Sequence, residues 1–196
     1  MLSEGLLAEW AQDARQRTLE LVADLSDDQL MGPQKKTINP LLWELGHVAW
    51  FQEKWVLRQG GNQPSHHPQA DALYDSFAIA HDIRWDLPLC KREQTLAYMK
   101  DVQQRTLEKL ADGSLSASER DLLLLSIFHE DMHGEAFTYT RQTLGYPAPR
   151  WLQKGWLQES CKQPHASSAS LCEDAEIPGG TFWLGATEDE PFVFDN

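Results

Sequence analysis

The chain has 196 residues, 41% hydrophobic and 24% charged, with 17 Lys and Arg against 30 Asp and Glu, a formal net charge of −13. That length holds one domain with a sizeable core, or one domain and a piece of another, and leaves no room for two complete ones. The acidic balance excludes nucleic acid and anionic membrane surfaces as main partners, because both would be repelled.

The acidity is uneven. From Glu173 onward there are seven acids and no Lys or Arg, and such a change in charge marks a change in organisation. The longest apolar run, Leu122 to Leu125, is far too short to cross a bilayer, and the acidic N-terminus is unlike a secretory leader, so a cytoplasmic protein is expected. Cys90, Cys161 and Cys172 lack CxxC spacing, which points to inert thiols rather than to disulfides or a zinc cluster.

The first 150 residues read as helical. Leu6, Leu7, Trp10, Ala14, Leu21, Val22 and Leu25 form the stripe of an opening amphipathic helix, broken at Ser26-Asp27-Asp28 and Gly32-Pro33. Asn39-Pro40 predicts the next start, with Asn39 as cap and Pro40 in the first turn. That helix should run to about Arg58 and stop at Gly60-Gly61. Residues 62–90 contain Pro64, Pro68 and Pro88 without sustained periodicity and are expected to form a long irregular connection. A third helix fits Glu93 to Leu110. The fourth follows the capping-box spacing Ser116 to Glu119, carries the periodic run Leu122 to Leu144, and ends at Gly145 and Pro147.

Four such helices without a convincing strand predict an all-α fold, an antiparallel four-helix bundle over residues 1–152. Residues 153–175 read as a linker, centred on QPHASSASLCEDA. Residues 176–196, EIPGGTFWLGATEDEPFVFDN, have the aromatic, β-branched and Gly/Pro texture of the first strands of another fold.

The chemistry is concentrated in histidines. His129 and His133 are one turn apart on the face that also carries Leu122, Leu125, Ala136 and Thr140, so both imidazoles point into the core. His47 lies in WELGHVAWF among Trp43, Trp50 and Phe51, with Gly46 leaving room for close packing or a ligand. A buried imidazole needs a partner, since leaving it unsatisfied costs about 1–3 kcal/mol. Three neutral imidazoles from two helices can hold one metal ion, and imidazole suits iron, zinc, copper and nickel alike. Glu44, Glu130, Asp131 and Glu135 are the candidate acceptors for the outer ring N–H groups. His66, His67 and His165 are read as solvent-exposed, and His81 is left open. HEDMH also matches the HExxH pattern of zinc proteases, but Ala136 and Tyr139 stand where the extended pattern needs Gly and His.

NPLLWELGHVAWFQEKWVLR (39–58) followed by HEDMHGEAFTYTRQTLGYP (129–147) resembles the DinB-like N-terminal domain of ergothioneine-type sulfoxide synthases and their selenoneine-synthase relatives. IPGGTFWLGATEDEPFVFDN (177–196) is similar to the opening of their second domain, which has the formylglycine-generating-enzyme, or sulfatase-modifying-factor, fold. The resemblance implies a mononuclear non-haem Fe(II) held by His47, His129 and His133. It implies a reaction in which O2 joins a thiol or a selenosugar donor to the imidazole of hercynine, Nα-trimethylhistidine. In such enzymes arginines of the bundle loop bind an acidic thiol partner. Here LYDSFAIAHDIRWDLPLC offers one, Arg84, as in the selenoneine subgroup, with Trp85 and Asp82 as neighbours for a sugar-like donor. Only about twenty residues of the second domain are present, so the chain reads as a truncated member. Two further readings stay open: a DinB-like divalent-metal thiol transferase and a non-catalytic bundle.

Overall fold

The computed structural model describes residues 2–113, 115–150, 176–187, 190 and 192–194. The chain divides into two units, Met1–Arg150 and Trp151–Asn196. The expected linker, with Cys161, His165 and Cys172, lies outside the described residues.

The first unit is all-α. Helix α1 (Glu4–Val22) starts at Ser3, whose side chain accepts from the Leu6 amide, and buries Leu7, Ala11, Ala14, Leu21 and Val22. Ser26, expected only to break the chain, also begins a short helix α2 (Asp27–Met31), because Ser26 and Gln29 form a reciprocal capping box. Helix α3 (Leu41–Gln52) is buried on nearly every side. Its continuation Glu53–Leu57 is a π-helical turn, and Gly60 and Gly61, at φ 75° and 94°, then turn the chain away.

The start of α3 corrects the expected cap. Pro40 is the N-cap and no side chain caps the helix; Asn39 instead turns its amide to Glu44. The connection 62–90 is also more ordered than its prolines imply, holding helix α4 (Ala70–Tyr74) and a 3-10 turn at His81–Ile83. Helix α5 (Arg92–Ala111) and helix α6 (Ala117–Thr143) complete the unit, the latter capped reciprocally by Ser116 and Glu119.

Helix α3 packs on α5 and α6, while α1 packs on α6 and α5. The apolar centre between them includes Leu21, Leu45, Trp50, Met99, Val102 and Phe137. One buried ion pair crosses it: Arg15 of α1 donates through Nε to Glu130 Oε1 at 2.7 Å and through Nη2 to Oε2 at 3.1 Å. Both side chains are only 2% exposed.

In the second unit, the described residues 176–187, 190 and 192–194 contain no strand. A strand exists by pairing with a neighbour, and no described residue supplies one. Ile177, Phe182, Trp183 and Leu184 are exposed. None of the described helices is long and apolar enough to cross a membrane.

Candidate metal centre

Helix α3 delivers His47 and helix α6 delivers His129 and His133 to one buried point. Each is less than a tenth exposed, and one ring nitrogen from each lies within 4.8 Å of the others. It is the one group of three or more His, Cys, Asp or Glu among the described residues that could hold a metal.

Hydrogen bonds on the far side of two rings decide which nitrogen faces inward. His47 Nδ1 lies 2.8 Å from the Tyr74 carbonyl, which can only accept, so Nδ1 carries the proton and Nε2 the lone pair. His133 Nδ1 likewise donates to the carboxylate of Glu44, freeing its Nε2. This is the histidine–carboxylate arrangement that orients metal ligands. Glu44 is held from its other oxygen by Asn39 Nδ2 at 2.6 Å. Burial opposes its charge, but His133 and then Asn39 outweigh burial and keep the carboxyl below its ordinary range.

The rings themselves are clamped. Trp43 stacks on His47 at 4.7 Å between centroids, and Phe51 stacks on His129 at 3.6 Å. Burial pushes His47 down to about 3 and His129 still lower. Both are therefore neutral at pH 7, the form that ligates.

The donor set fits a cation. His133 Nε2 and His129 Nε2 face each other at 3.3 Å, and His129 Nδ1 is buried without a partner. One proton between the two Nε2 atoms would also satisfy that pair, and Nδ1 is unpartnered in either case, so it is the Nε2 spacing that bears on a metal. Two nitrogens on one ion at about 2.0–2.1 Å, at angles between octahedral and tetrahedral, stand about 2.8–3.4 Å apart. The observed spacing falls inside that range.

Of the four carboxylates expected behind the rings, only Glu44 takes that place. Glu130 is turned to Arg15, Asp131 pairs with Arg17, and Glu135 is exposed. The engagement of Glu130 also removes the base that an HExxH protease requires.

Arg84 is near the cluster, one residue removed from it. Its guanidinium lies 3.9 Å over Trp43, donates to Asn39 Oδ1 at 2.8 Å, and leaves a buried Nε unpaired. Trp85 is directed to the Gly32 carbonyl, and Asp82 sits exposed beside His81, whose Nε2 meets the Ile38 carbonyl at 2.7 Å. His66 is exposed as expected. His67 is not; it is half-buried against Cys90.

Three contributors were not anticipated. Tyr74 holds His47 by its carbonyl, Asn39 holds Glu44, and Tyr139, half-exposed, is near enough to Glu44 that burial and then that charge raise its hydroxyl. Gly46 was the available signal for Tyr74: a glycine inside a buried helix marks close approach, and here the approaching group is the Tyr74 ring.

An all-α fold around a buried three-histidine cluster defines the class. The DinB superfamily pattern matches residues 11–137, and the chain belongs to that superfamily. It is 31% identical over 200 residues to a hercynine oxygenase of Mycolicibacterium smegmatis, a match covering all of this chain and 44% of that protein. It is 34% identical over 141 residues to the hercynine oxygenase of Mycobacterium tuberculosis, covering 69% of this chain and 32% of that one. A third, from Mycolicibacterium thermoresistibile, is 32% identical over 131 residues, covering 66% and 29%. The chain thus spans less than half the length of these curated relatives.

Proposed function

We propose that this chain is the iron-binding part of an O2-dependent enzyme that forms a carbon–sulfur or carbon–selenium bond on the imidazole of hercynine. The observation that carries the reading is the convergence of three buried histidines, two of them held by their outer nitrogens. The names of the relatives supply the substrate. In this reading helices α1, α3, α5 and α6 form an antiparallel four-helix bundle within residues 1–152. Residues 153–175 link it to residues 176–196, the start of a formylglycine-generating-enzyme-like domain.

His47, His129 and His133 would hold Fe(II), which when bound supplies one-electron chemistry with O2 beside open positions for a sulfur or selenium donor. The protein's own work is to prepare that place. Tyr74 and Glu44 fix the tautomers of His47 and His133, and the Trp43 and Phe51 faces prevent the rings from turning. His133 and then Asn39 keep Glu44 charged against its burial, so the carboxylate stays an acceptor behind the His133 ring. Arg84, with one unpaired N–H and a guanidinium face on Trp43, is the donor-side contact. A single arginine there favours a selenosugar or another weakly charged donor over a strongly acidic thiol.

Anaerobic Fe(II) titration of the protein and of His133→Ala tests the site, with one equivalent bound by the first and a large loss in the second. Equal affinity in both removes the three-histidine assignment. Supplying hercynine, O2 and either a thiol or a selenosugar to the iron-loaded chain then tests turnover.

A further inference from the structure

Outside the histidine cluster, the connection between α3 and α5 brings a thiol and an imidazole together. Cys90 Sγ lies 3.4 Å from His67 Nε2. Both side chains are half-buried, and the other His67 nitrogen is buried without a partner. The imidazole leans on Tyr98 at 5.3 Å between centroids, and Tyr98 donates to the buried Glu53 at 2.5 Å, which fixes the ring from behind. Cys90 also lines a cleft of about 350 Å³ beside α2, whose charged lining residues are Asp27, Asp28, Lys91 and Arg92.

A thiol that opens on a cleft and touches a base has what thiol exchange requires, because the thiolate is the nucleophile. We propose that Cys90, with His67 as its base, is an exchange site for low-molecular-weight peptide disulfides. The Sγ–H proton passes to His67 Nε2, and the thiolate attacks one sulfur of the disulfide. A Cys90 mixed disulfide forms as the original S–S bond breaks; the departing thiolate leaves with that electron pair and takes the proton from His67. Cys90 is oxidised, and half of the small disulfide is reduced to a thiol. The equal mix of acidic and basic groups around the cleft suits a zwitterionic peptide disulfide.

Tyr74 joins this site to the histidine cluster. Its hydroxyl lies beside Cys90 and Thr95, its ring packs on Gly46, and its carbonyl holds His47. A Cys90 adduct therefore presses on the residue that orients His47 and weakens metal binding, a consequence that rests on the metal reading above.

The test is incubation of the full chain with oxidised glutathione, the adduct being assigned by peptide mass mapping that separates Cys90 from Cys161 and Cys172. Cys90 is expected to react in the folded protein, about tenfold or more slowly in His67→Gln, and not at all in Cys90→Ser. Reaction only after unfolding in urea, or an unchanged rate in a folded His67→Gln, overturns the proposal. Should that variant not fold, the wild-type comparison decides: Cys90 must react faster in the native chain than in urea. Co(II) titration of the adduct reads the coupling, with affinity lower than in the unmodified chain. Equal affinity overturns the coupling alone, and absence of Co(II) binding in both counts against the metal reading while the labelling result stands.

Discussion

The ring of Tyr74 lies so close to Gly46 that a Cβ on that glycine would stand 2.2 Å from two of its carbon atoms. The same tyrosine accepts the Nδ1 proton of His47, the next residue along α3. Helix propensity alone would make Gly46→Ala stabilising by about 1 kcal/mol. Steric overlap in a packed core costs about 1–3 kcal/mol and works in the opposite direction. Gly46→Ala is therefore expected to lower stability in urea unfolding and to loosen the metal, since Tyr74 must move. A more stable variant with unchanged Fe(II) affinity would show that Tyr74 does not position His47.

Glu44 is the carboxylate behind His133, buried to 2% exposure and charged because His133 and Asn39 overcome its burial. Replacing it by Gln keeps the shape and removes the charge that holds the Nδ1 proton. Loss of such an outer partner typically costs about 10–100-fold in metal affinity. Anaerobic Fe(II) or Co(II) titration of Glu44→Gln should show a drop of that order with the helical circular dichroism spectrum intact. Wild-type affinity would assign the pairing to packing alone.

What could be read from the chain depends on how local each signal is. The start of α6 is read from Ser116 and its near neighbour Glu119, and the core side of His129 and His133 follows from helical spacing; the equally local box of Ser26 and Gln29 reads in the sequence only as a break. Partners brought from afar carry no such signature. Glu130 stands one residue from His129 and was a reasonable candidate for the rings, yet Arg15, 115 positions earlier, claims it. Asn39 before a proline has the composition of a cap, but its side-chain oxygen, the atom a cap uses, accepts from the distant Arg84 at 2.8 Å, while its amide donates to Glu44. The tyrosine carbonyl behind His47 is a backbone atom in a proline-interrupted stretch, and no residue type announces it.

The Arg15–Glu130 pair separates two readings of HEDMH. Both side chains are 2% exposed, and Arg15 also donates to the Met99 carbonyl at 2.7 Å, so neither charge has water to fall back on. Removing one partner of such a pair costs about 3–5 kcal/mol, whereas replacing both by apolar groups is close to neutral. Arg15→Met should be strongly destabilised in urea unfolding, and Arg15→Met combined with Glu130→Leu should recover much of the loss. Fe(II) affinity of the double variant should match the wild type. An intact single variant, or loss of metal in the double one, would place Glu130 with the histidines after all.

Acid should release α4 before it reaches the core. Asp71 accepts from Arg58 at 2.7 and 2.8 Å and from Trp50 Nε1 at 2.7 Å. The Arg58 hydrogen bonds, partly opposed by burial and aided by Trp50, hold its carboxyl down at about 2, below the ordinary 3.8. A carboxyl depressed on folding stabilises the native state at every pH above its unfolded value and loses that contribution as pH falls from 3.8 towards 2. Because the side chain is 53% exposed, solvent screens the pair and the loss is modest. Stability of the wild type should thus fall more steeply between pH 4 and 2 than that of Asp71→Asn, which carries no charge to lose. Asp71 anchors the helix that ends in Tyr74, so the same window should loosen the tyrosine's contact with α3. Parallel stability curves for the two proteins would show that this ion pair does not hold α4 in place.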